Sequence, residues 1–183
     1  MKIILPDKSV RELPSGATGY DLAKDIGPGL VKSAVAIAVD GEQKDLFDIL
    51  DENSEVSIIT IDSEEGLEIM RHTLTAQVLA KAVKTIYPDS LLAIGPTIDD
   101  GFYYDIETKE PISIDDLKNI EEEMQKIINS GSSITKKLFS KKDALEVFKK
   151  LKEPYKESII NDSDQEDGFQ LYFQDNESFV DLC

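Results

Sequence analysis

An α+β fold in two units is what this sequence predicts, and three features predict it. Residues 1–62 carry short β-favouring runs punctuated by turn residues, with one short helical stretch among them. Residues 67–86 and 113–129 carry apolar side chains at helical spacing. Between those two stretches, Ala93 to Asp105 packs two Gly, one Pro, three adjacent aromatics and three Asp into a short block. Gly-Pro and Asp-Gly are turn signals, while Phe102-Tyr103-Tyr104 favours a strand. The block reads as a strand edge beside a tight loop, with two phenol hydroxyls near carboxylates.

In the first unit, Lys2–Leu5 and Val10–Leu13 flank the turn-like Pro6-Asp7-Lys8-Ser9 and form a hairpin. Thr18 caps a short helix over Gly19–Asp25, which Gly27-Pro28-Gly29 stops. Ala34–Val39 is the most strand-like run in the chain, and Asp40-Gly41 after it is a strong hairpin signal. Glu55–Thr60 alternates polar and apolar residues as a closing strand. The order β-β-α-β-β-β in so short a chain suits a small β-grasp (ubiquitin-like) sheet. Residues 61–66 read as a boundary, with Asp62 or Ser63 capping the next helix and Asp62 with Glu65 in a capping-box pattern. The units are therefore 1–62 and 63–183.

In the second unit the first helix aligns Leu67, Met70, Leu74, Val78 and Ala82 along one stripe and ends at Tyr87-Pro88-Asp89-Ser90. A second helix runs from Ser113 to about Asn129, with Gly131 beyond it. Ile134–Phe139 is a strand, Lys141 or Lys142 to Leu151 a third helix, and residues 161–168 an acidic loop. Gln170–Phe173 and Ser178–Asp181 are closing strands. The chain ends as a strand cut short, which points to a piece of a longer protein.

Composition narrows the function classes. The chain has 183 residues, 40% of them apolar, enough for a packed core. Its net charge of −17 argues against nucleic-acid binding over the whole surface. One segment reverses the sign: Lys136, Lys137, Lys141, Lys142, Lys149, Lys150, Lys152 and Lys156 are opposed only by Asp143, Glu146 and Glu153. That is either a solvated helix face or an edge that touches phosphates. The single cysteine, Cys183, excludes an intrachain disulfide and fits a reducing cytosol. No signal peptide or membrane-length apolar run is present.

Few residues carry chemistry on their own. His72 is the sole histidine, and it forms no i, i+4 metal pair because position 76 is Ala. Thr73 and Gln77 share a helix face, where they are either solvated or hydrogen-bond a ligand in a cleft. Tyr103 and Tyr104 alternate across a strand, one inward and one free to stack a base or bond a ribose. Asp181 and Cys183 share a strand face. No phosphate-binding glycine loop or nucleophile elbow occurs.

A resemblance adds what spacing leaves open. Residues 1–62 resemble a TGS domain, the β-grasp module of threonyl-tRNA synthetases, certain GTPases and stringent-response enzymes. Glu65–His72, Ala93–Pro96, Gly101–Asp105, Glu153–Lys156 and Phe179–Cys183 resemble, in order, the editing domain that follows it in bacterial threonyl-tRNA synthetases. That domain hydrolyses seryl-tRNA made in error, because one methyl group discriminates weakly in binding. The resemblance implies a cleft formed by Tyr103 or Tyr104, Lys156, Asp181 and Cys183. Lys156 would stabilise charge on the ester oxygen, and Asp181 would orient neighbours or bind the seryl amine. It also implies a cytoplasmic parent that uses ATP, Mg and Zn in a catalytic core outside this chain, a homodimer, and the tRNA(Thr) acceptor end as partner. No cofactor is implied for this stretch itself.

One departure stands out. The family carries a His-x-x-x-His pair on the first helix, just after an Arg. Counting back from Val78–Lys84 places the pair at Thr73 and Gln77; counting forward from Arg71 places it at His72 and Ala76. Neither register restores it, and the family's later Arg-Gly-Pro-His would begin after Cys183. Three functions remain: a deacylase using Lys156, Asp181, Tyr104 and His72; a domain that binds the tRNA acceptor end without hydrolysis; or a TGS module that binds a regulatory ligand.

Overall fold

The computed structural model describes residues 1–175 and 179–182, and the chain divides into two compact units, Met1–Arg71 and His72–Cys183. In the first, β1 (Lys2–Ile4) and β2 (Val10–Glu12) form an antiparallel hairpin. Helix α1 (Gly19–Ile26) starts at Thr18, whose hydroxyl accepts from the Asp21 N–H while Asp21 returns to the Thr18 backbone. Gly27 ends α1, but the chain re-enters a short helix, α2 (Pro28–Ser33), instead of a loop. Proline suits that first position, where its missing N–H has no helical partner to lose.

Strand β3 (Ala34–Val39) lies between β4 (Glu42–Asp45) and β5 (Val56–Thr60), antiparallel to both. Asp40 (φ 51) and Gly41 (φ 87) both take positive φ, as a two-residue primed turn demands. A parallel bridge from Ile4 to Glu55, with the Ile4 N–H donating to Ser54 O at 3.0 Å, ties β1 to the start of β5. Ile3, Leu22, Ile37 and Val56 are fully buried at the centre of this β-grasp core.

Helix α3 (Glu64–Thr73) begins where Ser63 Oγ accepts from Gly66 N–H at 3.0 Å, and it crosses from one unit into the next. The sequence predicts one α-helix to Ile86. The structure instead has a π turn over Leu74–Leu79 before α4 (Ala80–Ile86). The expected stripe is not the buried face: Leu67 and Met70 on α3 are exposed, while Thr75, Ala76 and Gln77 in the π turn are buried. A π turn bonds i to i+5, as the Ala80 N–H does to Thr75 O, so residues four apart no longer superpose.

Beyond α4, β6 (Leu91–Leu92) will pair with a later strand, and β7 (Thr97–Ile98) pairs with β8 (Gly101–Phe102). Strand β9 (Ile106–Glu107) completes the β6 ladder. The strand expected through Tyr104 stops at Phe102. Pro96, opposite the following residues, has no N–H to give; its carbonyl only accepts from Tyr103, at 3.4 Å. Helix α5 (Ile114–Ser130) has its Ser113–Asp116 capping box and ends at left-handed Gly131.

Strand β10 (Ile134–Phe139) is followed by α6 (Lys141–Leu151), capped by Ser140, and α7 (Pro154–Asp162). Strands β11 (Phe169–Gln174) and β12 (Phe179–Leu182) extend β10 into a three-stranded antiparallel sheet, ordered β10-β11-β12. Ala144, Phe148, Ile160, Phe169, Leu171 and Phe173 pack between this sheet and α6–α7. Helix α7 is absent from the sequence reading, and it runs two residues into the stretch read as an acidic loop. Among the described residues no helix is long and apolar enough to cross a membrane.

Candidate active site

The second unit contains an open-mouthed cavity of about 450 Å³. Four side chains form its polar wall: His72 from the end of α3, Tyr104 from the segment before β9, Lys156 from the first turn of α7 and Asp181 from β12. Ala76, Ile94, Pro96, Ile159 and Phe169 supply apolar surface. Lys156 and Asp181 are 5% and 2% exposed, so both charges have left water. Burial on that scale is tolerable only if each charge has a partner. The Lys156 ammonium Nζ lies 2.7 Å from Asp181 Oδ1 and donates to the Tyr104 hydroxyl oxygen at 3.2 Å. The Asp181 contact is an ion pair without the alignment of a hydrogen bond.

Burial pushes the Asp181 carboxyl up, against the pull of the Lys156 ammonium. On Lys156 burial pulls down, but the Asp181 charge and Tyr104 more than offset it, and the amine sits above its ordinary value. Lys156 is therefore a fixed cation at neutral pH and cannot act as a base. Burial, then the Asp181 charge, push the Tyr104 phenol up to about 12. Tyr104 is a neutral phenol whose oxygen already accepts from Lys156, so its O–H is left to donate. His72 is the imidazole of the cavity, with one ring nitrogen able to accept a proton and the other able to donate one.

Gly95 sets the place of the phenol ring. A Cβ there would stand 2.5 Å from Tyr104 Cδ2 and 2.7 Å from Thr75 Cγ2. Only a residue without a side chain lets the ring lie on the Gly-Pro loop.

The sequence-derived site residues divide into two groups. His72, Tyr104, Lys156 and Asp181 meet in the cavity. Thr73 and Gln77 do not line it. Gln77 is buried against β11, where the Gln174 amide nitrogen donates to its backbone carbonyl at 2.6 Å and to its Oε1 at 2.9 Å. The π turn takes Gln77 out of line with Thr73. His72 and Ala76 both line the cavity.

Tyr103 is exposed and does not line the cavity. Lys136 and Lys137 lie on β10, outside the cavity, with Lys137 Nζ 4.6 Å from the centre of the Phe173 ring. Cys183 lies outside the described residues. Lys141 donates to the Asn161 and Ser163 carbonyls at the end of α7 and so serves the fold. Ser163, Gln165 and Gln170 line the cavity unforeseen, because only the missed helix α7 brings their loop to it. Among the described residues no group of three or more His, Cys, Asp or Glu could hold a metal ion.

Residues 1–60 match the TGS domain family, in agreement with their β-grasp architecture. Along its length the chain is similar to threonine–tRNA ligases. It is 44% identical over 181 residues to that of Hahella chejuensis and 43% over 182 to that of Paramagnetospirillum magneticum, covering 99% of this chain in each case. With the Acetivibrio thermocellus ligase the identity is 42% over all 183 residues. The chain spans 28% of the length of each of these relatives and corresponds to an N-terminal region with a TGS domain.

Proposed function

We propose that this chain is the N-terminal region of a cytoplasmic threonine–tRNA ligase, and that its second unit removes serine wrongly esterified to tRNA(Thr). The observation that carries this reading is the convergence of Lys156, Tyr104, Asp181 and His72 in one cavity. The seryl ammonium takes a place beside Asp181. The ester carbonyl faces the Lys156 ammonium and the Tyr104 hydroxyl, which stabilise the oxyanion as it forms. Water adds to the carbonyl and gives its proton to His72. The tetrahedral intermediate collapses, the ester C–O bond breaks, and His72 returns the proton to the ribose oxygen. The surface lysines around Lys136 and Lys137 would meet the phosphates of the acceptor stem. ATP-dependent aminoacylation, its metals and dimerisation would belong to the remainder of the longer protein.

Ala76 favours a second reading, in which the cavity binds the aminoacyl end without hydrolysing it, since one imidazole alone must do all the proton transfer. Single-turnover hydrolysis of seryl-tRNA(Thr) under excess protein separates the two. Faster ester loss than without protein, abolished by Lys156→Met, supports the deacylase. Tight binding with an unchanged ester lifetime selects the second reading, and neither binding nor hydrolysis removes both.

A further inference from the structure

One buried charge lies outside the proposed chemistry. Glu153, with a side chain only 7% exposed, occupies the corner between α6 and α7. Its backbone is fixed to α6: left-handed Lys152 closes that helix, and the Glu153 N–H donates to Phe148 O at 3.0 Å. Its carboxylate reaches two other elements. Oε1 accepts from Lys84 Nζ on α4 at 2.6 Å, and Oε2 accepts from the Leu92 N–H on β6 at 3.1 Å. Lys84 is held in turn by Ser90 O at 2.6 Å.

The apolar core beside this corner is complete without a carboxylate, and a buried ion pair is a weak source of stability compared with apolar packing. What the carboxylate does fix is geometry. Lys156 lies three residues on, in the first turn of α7. Leu92 lies on the ladder partner of β9, and Tyr104 lies two residues before β9. The Tyr155 hydroxyl, donating to Glu107 on β9, adds a contact on the same side.

We infer that Glu153 is a positioning residue for the cavity: it locks the first turn of α7 to the β6–β9 ladder and so holds the Lys156 ammonium against Tyr104. Its role in turnover rests on the deacylase reading, but its role in geometry does not. The test uses Glu153→Gln in the full chain, which keeps an acceptor for Leu92 and loses the charge that holds Lys84. An amine-reactive reagent followed by mass spectrometry reads Lys156 against the exposed Lys149. In a folded variant the Lys156 rate rises about tenfold relative to Lys149, equivalent to ~1.4 kcal/mol of local opening. Glu153→Asp, which keeps the charge, recovers part of the protection.

In seryl-tRNA hydrolysis, Glu153→Gln lowers kcat by up to about 100-fold with KM little changed. If Glu153→Gln fails to fold, Lys84→Gln asks the same question from the other end, with the same expected loss of protection. A folded variant that keeps Lys156 as protected as in the original chain overturns the inference. Absence of hydrolysis in the unaltered chain would remove the deacylase reading, while the protection ratio would still decide the role of Glu153.

Discussion

The two units bury different things. In the first, the core is Ile3, Leu22, Ile37, Val56 and their neighbours, and the one buried polar residue among those described is Ser54. Its ion pairs, such as Lys8–Glu55 at 2.7 Å, lie on the surface. The second unit buries Thr75, Gln77, Ser90, Glu153, Lys156, Gln174 and Asp181 beside its apolar core. Charges in a dry interior cost more than they return unless well paired. A domain that needs only to fold gains little from them, and this difference supports the proposal of a site in the second unit.

Cutting one ion pair in each unit should give the largest difference between them. Lys156→Met leaves the Asp181 carboxylate buried without its cation and is expected to cost ~3–5 kcal/mol, read from denaturant unfolding of the second unit. Lys8→Met cuts an exposed pair in the first unit and should cost no more than about 1 kcal/mol. Equal costs would show that the two units use charge in the same way.

Gly95→Ala comes next. Its Cβ has no room beside the Tyr104 ring, and moving that ring should cost ~1–3 kcal/mol and weaken the Lys156–Tyr104 contact. The measurement is the melting temperature together with the tyrosine ring signals in NMR spectra. Gln174→Ala removes the donor that satisfies the Gln77 carbonyl and amide oxygens. Leaving them buried without that partner should cost about 1–3 kcal/mol, and amide exchange across Leu74–Leu79 should accelerate. Unchanged exchange there would mean that the π turn holds itself.

The smallest effect is one of pH. The folded Tyr104 phenol keeps its proton up to about 12, while the unfolded chain releases it from the ordinary value of 10.0. Between these limits the folded state binds more protons, so stability is full below pH 10 and falls as pH rises towards 12. The raised Lys156 amine acts in the same direction. Urea midpoints measured across this range should decline less steeply in Tyr104→Phe. An identical decline would show that the phenol titrates as it does in water.

The legible parts of the sequence were those set by local rules. Thr18 and Ser113 announce their helices because an N-cap acts within four residues, and Asp40-Gly41 announces its hairpin because only such residues take two positive φ angles cheaply. Of the candidate site, Lys156, Tyr104, Asp181 and His72 followed from the resemblance, since nothing local marks a lysine for burial. Two features escaped for physical reasons. The π turn adds one residue to a helix without changing its composition, so a stripe drawn straight through Leu74–Leu79 leaves Gln77 either solvated or in a cleft, whereas it is buried against β11. Helix α7 is short, with apolar residues on no single clear face, and its best local signal was Pro154 at the first helical position.

On the proposed function, the cavity of the second unit receives the aminoacylated end of a tRNA. The most direct measurement of this is an NMR titration of the chain with a non-hydrolysable amide analogue of seryl-adenosine. Saturable shifts are expected at His72, Tyr104 and the backbone around Asp181, with their loss in Lys156→Met. Signals that stay unmoved, or that shift equally in the folded Lys156→Met variant, would contradict it.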